Sequence, residues 1–391
     1  MSNINKNVLP FSPPSYTDEE IKSVETCLRN GWSGSGPKLK EFENKFANYK
    51  GVQYAVGLSS CTSALFLSLK VLGVGPGDEV ITTAMTFCST VNIIIHCGAK
   101  PILCDVDPLT KNISISDLQK KLSFATKVIL PVHYSGYPCD MTAIMKIANE
   151  KDIHVVEDCA HAIEAKHCYQ MCGSFGDVGC FSFYATKNIA IGEGGMAISS
   201  HENLIQEMST LSLHGMSRDA WRRFNESKRR SYDVVQIGFK MNLTDIQAAI
   251  GIVQLSRLND MYQRRVQLWS FYTSQLINLG LDLPVLPAED SGDVHALHLY
   301  TIGLPDHVDR DHFVWNCGQT HAVTMGIHYN SIPTFSIYKQ MQLFDDPLLN
   351  YPVAFDWGKR TVSLSLSAAV SDSDAERVVD AVKNTLKTIS S

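Results

Sequence analysis

The chain has 391 residues, of which 45% are hydrophobic and 19% charged, with a formal net charge of −6. That length holds more than one core, so two domains are expected, and the negative balance removes the electrostatic footprint of a nucleic-acid binder while leaving room for a local basic patch. The N-terminal Met-Ser-Asn-Ile-Asn-Lys-Asn lacks an apolar signal core and runs such as Val91 to Ile95 are too short to span a bilayer, so a cytoplasmic location is expected.

In chain order, apolar β-rich runs alternate with helical patterns: strand Tyr54 to Leu58, helix Ser63 to Leu72, strand Glu79 to Thr83, helix Cys88 to His96, strands Lys100 to Asp105 and Val128 to Val132, helix Met141 to Glu150, and strand His154 to Glu157. Alternation of this kind predicts a parallel sheet covered by helices on both faces, with a ligand beyond the carboxyl ends of the strands. After Asn242 the pattern becomes one long helical stretch, Thr244 to about Leu279, broken by Gly280, Pro284 and Pro287. This places a boundary between a large domain, 1–243, and a smaller α/β domain, 244–391, with strands at Leu297 to Ile302 and Thr324 to Tyr329 and helices near Arg310 to Cys317 and Asp372 to Ile389.

Eleven cysteines, an odd count spread through apolar segments, are expected to be reduced and mostly buried, with no disulfide. The tightest His/Cys cluster, Cys159, His161, His167, Cys168 and Cys172, has no paired Cys-x-x-Cys, so no metal site is expected. One charge run, Arg218, Arg222, Arg223, Lys228, Arg229 and Arg230, reads as a solvated loop, with a clamp over an anionic substrate as the sharper alternative.

The chemistry concentrates around Lys187, a lone amine between Ser182-Phe183-Tyr184-Ala185-Thr186 and the Gly-rich run Gly192-Glu193-Gly194-Gly195. A lysine whose surroundings leave it partly unprotonated can form a Schiff base with an aldehyde, and neighbouring glycines let the backbone approach a flat ligand. This combination points to pyridoxal 5'-phosphate as cofactor. Asp158, closing the apolar run from Ile153, would keep the cofactor's ring nitrogen protonated; the competing reading is a helix cap. His161 lies three residues on, as a ring neighbour or a core histidine. Phosphate donors are sought in Ser59-Ser60-Cys61-Thr62-Ser63, ahead of an apolar helix, where Thr62 and Ser63 are the best ligands, with Ser182 as a further hydroxyl. The same cluster would also serve as an ordinary N-cap. Phe87, just after a strand, would stack on the ring or fill the core.

The segments Ser-Ser-Cys-Thr-Ser-Ala-Leu (59–65), Gly-Pro-Gly-Asp-Glu-Val-Ile (75–81), Glu-Asp-Cys-Ala-His-Ala (157–162), Phe-Ser-Phe-Tyr-Ala-Thr-Lys-Asn (181–188) with Gly-Glu-Gly-Gly (192–195), and Gly-Phe-Lys-Met-Asn-Leu-Thr-Asp-Ile-Gln-Ala-Ala (238–249) resemble the DegT/DnrJ/EryC1/StrS sugar aminotransferases across nearly the whole chain. The resemblance implies an α/β, aspartate-aminotransferase-like (fold type I) architecture and a homodimer with shared active sites. It also implies transfer of an amino group, usually from L-glutamate, to a nucleotide-linked keto sugar. Carried over by position, Lys187 is the Schiff-base lysine, Asp158 the pyridine partner, His161 and Phe87 ring neighbours, and Thr62, Ser63 and Ser182 phosphate ligands. Asn242 is expected to reach the phosphate in the partner subunit's site.

Lys240-Met241-Asn242 stands where many members have Asn-Tyr-Arg, a variant similar to the branch acting on UDP-linked 4-keto sugars. His328-Tyr329-Asn330-Ser331-Ile332-Pro333 departs from the family's Pro-x-His element. The expected reaction is ping-pong amination for surface-glycan or lipopolysaccharide synthesis. The alternatives are amination of a free cyclitol ketone, a related sugar dehydratase, against which the lysine at 187 argues, and a cofactor-binding regulator without turnover.

Overall fold

The computed structural model describes residues 8–216 and 233–390. The strands are β1 (Tyr54–Leu58), β2 (Glu79–Thr83), β3 (Lys100–Cys104), β4 (Thr126–Ile129), β5 (His154–Asp158), β6 (Lys166–His167), β7 (Gln170–Met171), β8 (Val178–Ser182), β9 (Gly195–Ser199), β10 (Tyr300–Gly303) and β11 (Thr361–Leu364). Seven of them form the main sheet in the order β1-β9-β8-β5-β4-β2-β3. Neighbours from β8 to β3 run parallel, and β9 lies antiparallel to both β1 and β8. A parallel sheet must be buried on both faces, and β8 and β9 are buried at every position. One face packs a large aliphatic cluster around the helix Cys61–Val71. On another side of the core, Phe46 sets its ring 5.0 Å from Phe181 and 5.3 Å from Phe183 in edge-to-face contacts, each adding about 0.5–1.5 kcal/mol beyond area burial.

The alternating strands and helices read from the sequence are present from Tyr54 to Asp158 within a few residues of the expected limits. The long helical stretch is two helices, Asp245–Ser256 and Leu258–Leu276, because Arg257 at φ −95° and ψ 0° leaves helical geometry. Its guanidinium is held 3.1 Å from the Ser15 carbonyl and 2.5 Å from the Glu20 carboxylate, and this fixes the break. Beyond it, β10 and β11 form a two-stranded antiparallel sheet packed against Leu268, Tyr272 and the helix Asp372–Ser390. Leu9 joins this core and pairs with residues 322–324.

Two expectations in the C-terminal part are corrected. The strand expected at Leu297 to Ile302 begins only at Tyr300, since Leu297 sits at φ 50° and its N–H turns back to Nδ1 of His295, 2.8 Å away. Thr324 to Tyr329 is not a strand; Gly326 makes one bridge to Ser363, after which the chain leaves the small sheet and the His328 carbonyl accepts from the Tyr134 hydroxyl. Both departures turn the backbone toward the carboxyl ends of the parallel strands.

Candidate active site

A cavity of about 410 Å³ opens at those strand ends, with Thr62, Phe87, Asp158, His161, Ser182 and Lys187 all in its wall. Six of the eight residues singled out from the sequence thus converge. The other two, Ser63 and Asn242, do not line it.

At one side stands the start of the helix Cys61–Val71. The hydroxyl of Ser60 accepts from the Ser63 N–H at 3.0 Å, and the Ser60 carbonyl accepts from Ala64 N–H. The donors left in the first turn are the N–H groups of Cys61 and Thr62 with the exposed Thr62 hydroxyl, at the end of the helix where the dipole favours an anion. Ser63 is buried, its hydroxyl 3.0 Å from those of both Ser59 and Ser60, so it braces the turn. The turn lies flat on β9 because Gly195 has no side chain: a Cβ there would stand 2.4 Å from the Ser60 carbonyl carbon and 2.5 Å from Cys61 N.

Alternation along β5 sends its two carboxylates to opposite sides. Glu157 is fully buried and accepts N–H groups from Gly173, Phe175 and Gly176 at 2.7, 2.8 and 3.0 Å, with Nε2 of His133 at 3.2 Å. Burial pushes its pKa up, but these bonds outweigh it and hold the carboxyl below its ordinary value, so Glu157 locks the 173–176 turn. Asp158 faces the cavity. Its oxygens accept from Ala160 N–H at 3.1 Å and the Thr90 hydroxyl at 3.0 Å, and burial raises its pKa in spite of them. Such a carboxylate gains from any cation brought beside it.

Lys187 reaches the cavity from the turn after β8. Its low-dielectric surroundings lower its pKa to about 8, against the opposing pull of Cys61 and Asp158, so about a tenth of it is free amine at pH 7, far more than for an ordinary lysine. His161 is buried, accepts the Ser135 N–H on Nδ1 at 3.2 Å, and therefore carries its proton on Nε2, which faces the Tyr329 hydroxyl oxygen at 2.9 Å. Phe87 is 56% exposed in the cavity wall, its ring 6.0 Å from that of Tyr329.

Asn242 lies beside Leu58 and donates from Nδ2 to the Ser35 hydroxyl at 2.6 Å. The residues of the candidate metal cluster go three ways: His161 into the cavity, Cys159 and Cys172 beside Phe181 in the core, and His167 and Cys168 onto the β6–β7 hairpin, where His167 Nδ1 meets Asp293 at 3.1 Å. All eleven cysteines are free thiols; Cys168 is exposed, Cys88 half-buried and the other nine buried. The basic run Arg218 to Arg230 lies outside the described residues.

Residues that sequence reasoning passed over as site residues include Thr90, which bonds Asp158, and Tyr329, which bonds His161. His298 is another, with Nε2 at 3.4 Å from Lys187 Nζ. Thr90 lies three residues after Phe87 inside a helix that reads as core, and His298 sits in a stretch that reads as strand.

Pyridoxal phosphate fits this donor set. A buried carboxylate short of a cation suits a protonated ring nitrogen, a helix start with unused N–H groups suits a phosphate, and a lone amine with lowered pKa suits covalent attachment. Comparison with known proteins agrees. The profile of the DegT/DnrJ/EryC1/StrS aminotransferase family matches residues 14–383. The spore coat polysaccharide biosynthesis protein SpsC of Bacillus subtilis is 40% identical over 383 residues, 97% of each chain. Among solved structures, Spr1654 of Streptococcus pneumoniae, assigned as a sugar aminotransferase and captured in its PMP form, superposes with a TM-score of 0.90 at 32% identity, covering 97% of this chain and all of that one. The aminotransferase TlmJ of Streptoalloteichus hindustanus gives 0.88 at 32% identity over 98% of this chain and all of its own. The fold is thus the fold type I architecture that the resemblance implies, and the chain belongs to the DegT/DnrJ/EryC1/StrS family of pyridoxal-phosphate-dependent aminotransferases.

Proposed function

We propose that the enzyme moves an amino group from L-glutamate to the keto carbon of a nucleotide-linked sugar, a UDP- or dTDP-4-keto-6-deoxy sugar, in the cytoplasm and for surface-glycan synthesis. The observation that carries this reading is the placement of a lysine with a pKa of about 8 in one cavity with Asp158 and the Thr62 helix start. The polysaccharide role named for SpsC supports a sugar acceptor, as does the sugar aminotransferase assignment of Spr1654.

The bound cofactor supplies an electron sink for the carbanion formed at the donor carbon. Asp158 would pair with the ring nitrogen and keep that nitrogen protonated. Lys187 would hold the cofactor covalently and, once displaced by the donor's amine, would take the proton from the donor's α carbon and, in the second half of the reaction, deliver one to the acceptor carbon of the sugar. Thr62, with Ser63 bracing its turn and Ser182 nearby, anchors the phosphate. His161 and Phe87 present rings to the cofactor.

Asn242 lies outside its own chain's cavity, and Val234, Val235 and Ile237 nearby are 54%, 59% and 93% exposed. Both features support a homodimer in which Asn242 completes the partner's phosphate site. The test is the visible absorbance of cofactor-loaded protein. L-Glutamate should bleach the band, a nucleotide-linked 4-keto sugar should restore it, and a free cyclitol ketone should not. A band indifferent to glutamate defeats the donor assignment, and one restored only by the cyclitol defeats the acceptor.

A further inference from the structure

His298 is 3% exposed, and its two ring nitrogens face different partners: Nδ1 lies 3.0 Å from Oδ1 of Asn188, and Nε2 lies 3.4 Å from Nζ of Lys187. The proton positions follow from the chain of bonds behind it. The Asn188 Nδ2 group donates to the Glu164 carboxylate at 2.8 Å and to the Ala296 carbonyl at 3.0 Å, both pure acceptors, so the amide orientation is fixed with Oδ1 toward His298. Oδ1 can only accept, so the His298 proton sits on Nδ1. Glu164 is in turn held by the guanidinium of Arg265, a buried pair joining the helix Leu258–Leu276 to the large sheet's loops.

We infer that His298 is a positioning residue for Lys187: its Nε2 lone pair, aimed by Asn188, Glu164 and Arg265, accepts a hydrogen bond from the protonated amine and holds that side chain in the cavity when it is not bonded to cofactor. An imidazolium would instead turn an N–H toward the ammonium. Burial keeps His298 neutral, with the Lys187 charge acting in the same direction. The other groups facing the amine are Asp158 and Cys61, which favour its charge, and His161 and His328, which like His298 are held neutral by burial. The catalytic meaning of this contact rests on Lys187 being the cofactor lysine; the contact itself does not.

The experiment is competitive acetylation of the cofactor-free protein across pH, with the Lys187 peptide read by mass spectrometry. In wild type the apparent pKa should lie near 8. In His298→Leu the ammonium loses its acceptor, and the value should fall by about one pH unit, roughly tenfold in proton affinity. His298→Gln, whose amide oxygen can accept, should restore most of the difference. A value unchanged or raised in His298→Leu overturns the inference, a rise being the signature of a charged His298. Nitrogen NMR of ¹⁵N-histidine-labelled wild type needs no variant: a His298 proton on Nδ1 supports the assignment and one on Nε2 overturns it. Borohydride trapping of loaded wild type, with the modified peptide identified, separates the two readings. Attachment away from Lys187 defeats the functional proposal and leaves the acetylation result standing.

Discussion

The Tyr329 hydroxyl oxygen and Nε2 of His161 lie 2.9 Å apart although 168 residues separate them in the chain, and their rings are nearly parallel at 18°. With Nδ1 of His161 taken by the Ser135 N–H, the imidazole is the donor in this bond, so Ser135 sets its tautomer and Tyr329 holds its tilt. Tyr329→Phe removes the acceptor and leaves the ring. The expected result is a roughly 3–10-fold weaker hold on pyridoxal phosphate, the worth of one neutral hydrogen bond, measured by equilibrium dialysis, with unfolding by urea little changed. Wild-type affinity in the variant would show that the bond does not orient the imidazole for the cofactor.

Asp158→Asn tests the carboxylate with almost no change in shape. The Ala160 N–H still meets an oxygen, and the Thr90 hydroxyl can rotate to accept instead of donate. The variant should take up cofactor at Lys187, yet bleaching of its visible band by glutamate should slow by about 100-fold or more, the scale for removing one preorganised charge contact to a transition state. Rapid-mixing absorbance gives the rate, and bleaching at wild-type speed would remove Asp158 from the chemistry.

The lowered lysine pKa gives a pH dependence whose sign is set by burial. Attachment of cofactor to the free protein needs the unprotonated amine, so its rate should plateau above about pH 8 and fall about tenfold per pH unit below it. The folded value lies under the unfolded one of about 10.4. The unfolded chain therefore binds more protons between those pH values, and the cost of this group to the cofactor-free fold is full below pH 8 and relieved as pH rises through that window. Stopped-flow absorbance after mixing with pyridoxal phosphate checks the rate; a profile that keeps climbing about tenfold per pH unit through pH 9, with no plateau near 8, would place the amine outside the cavity's influence.

What the sequence disclosed about this site was local in the chain. Asp158 at a strand end, Thr62 at a helix start and Lys187 before glycines are each read within a few residues, because strand period and cap chemistry are short-range. His298, Asn188, Glu164 and Arg265 were missed for the opposite reason: their bonds join residues 111, 24 and 101 positions apart, and although Asn188 closes the motif at 181–188, its partners lie outside every motif. The apolar run at 324–329 has strand composition but only one bridging partner, so composition misled where tertiary contacts ruled. The helix Asp18–Arg29 escaped notice through its thin apolar stripe, burying only Glu20 and Cys27, although its Thr17/Glu20 capping box is written in the sequence.

Gly195 couples stability to phosphate binding at one point. A methyl group there meets backbone atoms of Ser60 and Cys61 at 2.4 and 2.5 Å, and backbone cannot swing aside as a side-chain tip can. Either β9 shifts away from β1, at a cost of roughly 1–3 kcal/mol for overpacking a buried site, or the 59–62 turn moves and carries the Cys61 and Thr62 N–H groups with it. Both routes distort the same anion site, so Gly195→Ala should lose thermal stability and weaken pyridoxal phosphate and inorganic phosphate together. Pyridoxal without its phosphate should be affected much less. Calorimetry gives the first quantity and titration of the cofactor-free protein the others. A variant that loses stability but keeps wild-type phosphate affinity would detach the anion site from this turn and shift it to Ser182 and the partner's residues.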